Sequence, residues 1–402
     1  MKQRLRRYVA EHARDTNSIV YVVLLLVALL FPAYAQFTTG GNGNFLISQA
    51  ADAGVYILMG IGLNVVVGFA GLLDLGYAAF FAIGAYTYAL LASNQLLTSP
   101  LHQAVHLPFW VVLFVAMFVA AGFGVILGAP TLRLRGDYLA IVTLGFGEIV
   151  PRVFKNLDQW TGGVNGVSAL DAPKLPLWFD GPWDNGAALA VTKDFQFTST
   201  NSTAYYVLML ILLIVCVILV NNLFASRLGR AWMAVREDEV AAEAMGVNTV
   251  TIKLLAFSIG AAFSGFAGAF YGAKLSLVSP ENFGFVVSVT ILIMVVLGGM
   301  GNIPGVIVGA ILIYYVLFKI LPDLPNQATD LAKSLGFDSL NQAHGDWAGL
   351  NQEVQRLKFL LFGLILVSVM LLRPQGLIPS RVRAQEFKKG VSDESVSDAR
   401  ST

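Results

Sequence analysis

Ten windows of this sequence carry almost nothing but apolar side chains: residues 19–31, 45–67, 77–92, 107–128, 138–153, 204–220, 254–271, 285–297, 306–320 and 357–372. Backbone N–H and C=O groups in a bilayer find no water, so each segment must satisfy them internally, and a helix does so. Several windows fall short of the ~20 residues a straight span needs, so one or two are expected to be broken or re-entrant. The predicted fold class is therefore all-α, a polytopic transmembrane helical bundle of about ten spans. Composition agrees: 56% of the 402 residues are apolar and 13% charged, where about 25% charged is usual for a soluble protein.

Orientation follows from the basic residues, which collect on the cytoplasmic side of short loops. With ten crossings and the amino terminus inside, most of the 26 Lys and Arg become cytoplasmic, including Lys2, Arg14, Arg133, Arg135, Arg227 and Lys253. Both termini are then expected in the cytoplasm. A basic region, an apolar core and Ala33-Tyr34-Ala35 also have the outline of a secretory signal. The length of the basic region and the even span count favour an uncleaved first span.

Residues 226–253, SRLGRAWMAVREDEVAAEAMGVNTVTIK, form the longest charged, helix-forming stretch between two apolar runs. They must lie in water with membrane on either side. Helical spacing over 236–245 predicts a short amphipathic helix, with Arg236, Glu239 and Glu243 on one face and Val240, Ala241, Ala244 and Met245 beside them. Gly246 supplies the stop, and Asn248 or Thr249 the next cap. Such a helix presents charged side chains to a soluble partner.

Several chemistries are excluded or unsupported. A phosphate-binding loop needs Gly-Lys before Ser or Thr, and no Lys here follows a Gly, so the chain does not bind ATP through that motif. The single Cys216 rules out an internal disulfide. His102 and His106 are four apart, but no Cys or carboxylate cluster joins them, so no metal is expected. Four scattered histidines support no catalytic set, no cofactor is implied, and a net charge of +1 argues against nucleic acid.

Acids within apolar runs are costly in lipid and stand out for that reason. Asp52 lies in the outer third of its window. Glu148 sits in GFGEIVP, where Gly145, Gly147 and Pro151 weaken the helix. For each, two readings stand: polar lining of a translocation path, or an acid satisfied by a neighbouring helix or solvated near the outer interface. Ser264, Gly268 and Gly272 form a groove of small residues, with Ala261, Gly265 and Ala269 beside it, for close packing within the chain or on a second membrane subunit. The segments 154–203 and 321–356 are expected outside, the first with Trp160, Trp178 and Trp183 at the headgroups. VVVGFAGLLDLG from Val65 and VVLGGMGNIPG from Val295 make a weak internal echo.

Five stretches resemble the permease subunits of bacterial ABC importers for branched-chain amino acids, of the LivM type. They are GLNVVVGFAGLLDLGYAAFFAIGAY from Gly62, LRLRGDYLAIVTLGFGEI from Leu132 with TGGVNG from Thr161, EVAAEAMGVN from Glu239, VVLGGMGNIPG from Val295, and RPQGL from Arg373. The resemblance implies a second permease subunit, two cytoplasmic ATPase subunits and a periplasmic substrate-binding protein, in the bacterial inner membrane. It also implies a coupling loop, 221–253, that docks on the ATPase. The family pattern of Glu-Ala-Ala, three residues, then Gly places Ala241, Ala242 and Gly246 in register. Val240 stands where the Glu belongs, which leaves Glu239 and Glu243 to compete for the contact.

The expected organisation is a basic segment 1–18, a permease domain 19–372 and a partly disordered tail 373–402. Urea or short-amide ABC permeases are the nearest rivals. A proton-coupled secondary transporter would use an acid such as Glu148 and need no docking helix.

Overall fold

The computed structural model describes residues 16–38, 40, 43–131, 137–174, 197, 201–335, 337, 341, 349–372 and 376–378. The basic residues before Thr16, Arg133 and Arg135, Trp178 and Trp183, Arg373, and the tail beyond Ile378 lie outside them. The chain divides into a unit spanning Met1–Leu292 and a unit spanning Ile293–Thr402.

All ten apolar windows fall on helices. In the first unit these are α1 (Thr16–Thr38), α2 (Asn44–Leu63), α3 (Tyr77–Leu91), α4 (Phe109–Thr131), α5 (Asp137–Asn156) and α6 (Ser202–Ala225). The charged stretch gives α7 (Arg227–Glu237) and α8 (Glu239–Ala244), followed by α9 (Thr249–Leu275) and α10 (Phe285–Gly298). Then come α11 (Ile303–Tyr315), α12 (Leu321–Ser334) and α13 (Leu350–Leu372). Among the described residues, seven helical stretches are long and apolar enough to cross a membrane, and α3 is shorter. That is fewer than ten full-length spans. Helix α3 has 15 residues, and α5 carries Glu148, Arg152 and Lys155 in its carboxy-terminal half.

The core of the first unit is α9, which packs on α4, α3 and α2. Small residues explain how closely it does so. A Cβ on Gly84 of α3 would overlap the backbone of Gly265, and one on Gly268 would overlap Phe81 O of α3. A Cβ on Gly124 of α4 would come within 2.8 Å of Ala261 Cβ. The stripe Ser264, Gly268, Gly272 therefore meets α3, and the stripe containing Ala261 and Gly265 meets α4, both within the chain. Tyr77 Oη donates to Gly260 O at 2.9 Å and Ser264 Oγ to Tyr77 O at 3.3 Å.

Short strands tie the loops together. β1 (Ala92–Ser93) pairs antiparallel with β2 (Val105–His106), and β3 (Val167–Ser168) with β4 (Leu277–Val278). The TGGVNG stretch needs its glycines: Gly162, Gly163 and Gly166 all have positive φ, and a Cβ on Gly166 would overlap Val278 O. In the second unit, α10 and α11 approach through Gly298, Gly305 and Gly309. Leu377 N donates to Leu297 O at 2.8 Å and Ile378 N to Gly298 O at 3.1 Å, fastening residues 376–378 to that hairpin.

Candidate functional site

The charged stretch 226–253 is two helices, not one. Asp238 breaks it with an extended backbone, and its carboxylate accepts from Val240 N at 2.9 Å and Ala241 N at 3.0 Å, capping α8. The run of helix formers across 236–245 conceals this break, because an N-cap is stronger than average propensity. Arg236, Glu239 and Glu243 consequently do not share a face.

Each of the three goes to a different place. Arg236 turns inward, donating from Nη1 to Gly68 O at 2.6 Å, with its stem against Gly71. Glu239 Oε1 meets Lys253 Nζ at 2.6 Å, and this lysine is only 11% exposed. Glu243 is exposed, together with Val240, Ala241, Ala244 and Met245, while Ala242 is buried and seats the helix. Gly246 ends α8 with φ +85°. Val247 N bonds Ala242 O at 3.0 Å and Gly246 N bonds Glu243 O at 2.9 Å, a Schellman stop. Asn248, rather than Thr249, caps α9 by accepting from Thr251 N at 3.0 Å.

Helix α7 is held from beneath. Trp232 is fully buried and donates from Nε1 to Ile252 O at 2.8 Å, and Ser226 caps the helix. The pair α7–α8 is thus fixed to the first turn of α9 by Trp232 and Lys253, with one short, mostly exposed helix projecting from it.

The two acids expected within apolar runs differ. Asp52 on α2 pairs with Lys274 on α9 at 2.5 Å, and the lysine also donates to Ser48 O at 2.6 Å. The lysine side chain is 5% exposed and the aspartate 26%. Glu148 is 41% exposed with Arg152 Nη2 at 3.5 Å on the next turn. Pro151 is carried within α5 without ending it. His102 and His106 do not share a helix: His106 lies in β2, with Nδ1 2.6 Å from Asp171 and Nε2 3.0 Å from Asn94. One carboxylate meets His106, and the described residues hold no group of three or more His, Cys, Asp or Glu side chains placed to hold a metal.

The family described as "Branched-chain amino acid transport system / permease component" matches residues 45–336. The chain is 39% identical over 382 residues to the high-affinity branched-chain amino acid transport system permease protein LivM of Escherichia coli, covering 94% of this chain and 79% of that protein. The chain belongs to this family. Other permease proteins of the family are similar at lower identity. The probable branched-chain amino acid transport permease LivM of Methanocaldococcus jannaschii is 25% identical over 82% of this chain and 91% of its own. LivH of Salmonella typhimurium is 26% identical over 64% of this chain and 79% of its own. No solved structure matches. The chain is a predominantly helical, multi-pass membrane permease.

In this permease three functional-looking residues escape sequence reasoning. Lys253 and Lys274 read as span-end charges, and nothing in their spacing announces their acidic partners, Glu239 on α8 and Asp52 on α2. Asp74 sits in the link 70–76 and is 1% exposed. Its Oδ1 accepts from Gly76 N at 2.9 Å, while Oδ2 is buried without a hydrogen bond. The acid borders a small cavity with Thr131, Thr143, Phe146 and Phe257. A signal for it exists in the sequence, since an acid between two apolar runs is costly unless it has a task.

Proposed function

We propose that this chain is the transmembrane permease subunit of an ABC importer that moves leucine, isoleucine or valine into a bacterial cytoplasm across the inner membrane. The carrying observation is the 39% identity along 94% of the chain to a permease named for branched-chain amino acid transport. ATP is hydrolysed by two partner subunits, a second permease completes the path, and a periplasmic protein delivers substrate. The permease itself catalyses no reaction. Its action is a shift between outward-open and inward-open populations, driven by ATP bound elsewhere.

The structure suits that reading at one place in particular. Within the coupling loop 221–253 of a permease domain 19–372, α8 offers Glu243 beside the apolar Val240, Ala241 and Met245 to the ATPase, on a base fixed by Ala242 and ended by Gly246. Glu239 and Arg236 serve the loop from within. Ten crossings with both termini cytoplasmic put this face on the ATP side. Asp52, tied to Lys274, and Glu148 are the candidates for the outer part of the path.

The test is uptake in vesicles containing the chain, its partner permease, both ATPases and the binding protein. ATP-dependent accumulation of labelled leucine, not competed by urea, is expected. Uptake that tracks a proton gradient without ATP would overturn the importer, and competition by urea or a short amide would overturn the substrate.

A further inference from the structure

Helix α2 does not end as an α-helix. Its last turn, Asn64–Phe69, is π-helical: Ala70 N reaches Val65 O at 3.2 Å, and Leu72 N reaches Val66 O at 3.0 Å. In an α-helical register Leu72 N–H would serve Gly68 O. Here Arg236 donates to Gly68 O instead, at 2.6 Å. A π turn holds one residue more than an α turn, is rare, and occurs where a helix is locally strained or functional. Reverting to α-helical register would rotate everything after it by about 100° and advance it by ~1.5 Å.

The turn leads into the link 70–76, which is seated at both ends. At one end Gly71 has φ +71°, and a Cβ there would lie 2.8 Å from Arg236 Cγ. At the other, Leu75 N donates to Thr143 Oγ1 of α5 at 3.0 Å, and Gly147 of α5 lies against Gly76. Ala78 N at the start of α3 donates to Ser288 Oγ at 2.9 Å. The acid between these seats, Asp74, has one carboxylate oxygen buried without a hydrogen bond beside the small cavity. The link is thus seated by single hydrogen bonds on two neighbouring helices, with a buried acid between the seats.

We propose that Arg236 is a positioning residue that props the π-helical turn 64–69 open, so that displacement of the α7–α8 pair withdraws its guanidinium from Gly68, lets the turn revert to α-helical register, and releases the 70–76 link from α5. The inference rests on the ATPase-docking reading of α8, but it concerns what happens inside the membrane. The turn is the two-position element, Arg236 is what the helix pair contributes to one position, and Thr143 and Gly147 receive the change. Asp74 gains a different set of neighbours when the link moves.

The experiment uses the complete reconstituted complex and three variants. Arg236→Met keeps the stem against Gly71 and removes the donor. Arg236→Lys restores one donor at similar reach. Gly71→Ala pushes the Arg236 stem aside from the link while keeping the guanidinium, at the cost of a side chain at φ +71°. Two readouts are taken: leucine moved per ATP hydrolysed, and amide hydrogen exchange of residues 65–76 with and without a non-hydrolysable ATP analogue. In the native complex, ATP-analogue binding is expected to change exchange at 65–76. In Arg236→Met and Gly71→Ala that dependence should disappear and leucine per ATP should fall about fivefold or more. Arg236→Lys should recover part of both. The inference is overturned if Arg236→Met leaves the ratio and the exchange pattern native, or if both variants lose transport while exchange at 65–76 still responds to nucleotide. A native complex that moves no leucine would defeat the substrate assignment alone, since the exchange readout does not depend on substrate. If Arg236→Met exchanges fast throughout α9 and so has not folded, Gly71→Ala decides by the same criteria.

Discussion

Glu239 and Lys253 meet at 2.6 Å, and the pairing is unequal, because the lysine side chain is 11% exposed and the carboxylate 32%. Removing the carboxylate strands a nearly buried ammonium at the start of α9. Glu239→Gln is expected to cost about 2 kcal/mol, seen as a lower thermal midpoint of the detergent-purified protein. The reversed pair, Glu239→Lys with Lys253→Glu, should regain at least part of that loss. An unshifted midpoint in the single variant would show that the contact contributes nothing.

Glu243 stands on the same short helix with its side chain exposed, so its removal should leave the fold alone. Glu243→Arg is expected to keep the native thermal midpoint while weakening retention of the ATPase subunits about tenfold, or ~1.4 kcal/mol. Co-purification at graded salt measures it. Equal retention of native and variant would remove Glu243 from the docking face and return the question to Val240 and Met245.

The Asp52–Lys274 pair distinguishes a structural tie from a transport role. Asp52→Asn alone leaves Lys274 without its counter-charge and should destabilise by about 3 kcal/mol. Asp52→Leu with Lys274→Met removes both charges and should recover most of the thermal midpoint, since well-packed apolar replacements of buried ion pairs are often neutral. If leucine uptake returns with stability, the pair only joins α2 to α9. If uptake stays low in the stable double variant, the charges belong to the path.

Two glycines test how far packing sets the core. A Cβ at Gly84 would run into the backbone of Gly265, whereas one at Gly122 meets nothing within 4 Å. Backbone cannot step aside as a flexible side chain can. Gly84→Ala is expected to cost about 2 kcal/mol or more through overpacking, and Gly122→Ala to be neutral or slightly stabilising in its helix. Thermal midpoints of the two, measured side by side, decide the point.

Much of this architecture is written in local patterns. Apolar windows mark every membrane-scale helix, because lipid burial demands a helix and tolerates few charges. Gly246 and Asn248 announce the end of α8 and the start of α9 through their own backbone preferences. What stays hidden is which partner each polar side chain takes, near in the chain or far from it. Asp238 carries a capping side chain, yet the surrounding helix formers mask it until the hydrogen bonds to Val240 and Ala241 are seen. Arg236 reads as a surface charge on helical spacing, and only folding brings Gly68 beneath it. Lys274 meets Asp52 across the sequence, so neither residue predicts the other. The small-residue stripes are readable as packing faces, but their partners, α3 and α4, are not.

Helix α9 carries Lys253 in its first turns and Lys274 in its last, some 30 Å apart at ~1.5 Å per residue. That is about the thickness of the hydrocarbon layer. Each cation is neutralised by an acid from a different segment, Glu239 at one end and Asp52 at the other. A slide of one turn along its axis would carry one of these pairs into hydrocarbon and the other into water. In a helix that spans the bilayer, one such pair at each end would leave tilt and rotation but no piston stroke, an axle about which neighbouring helices would swing.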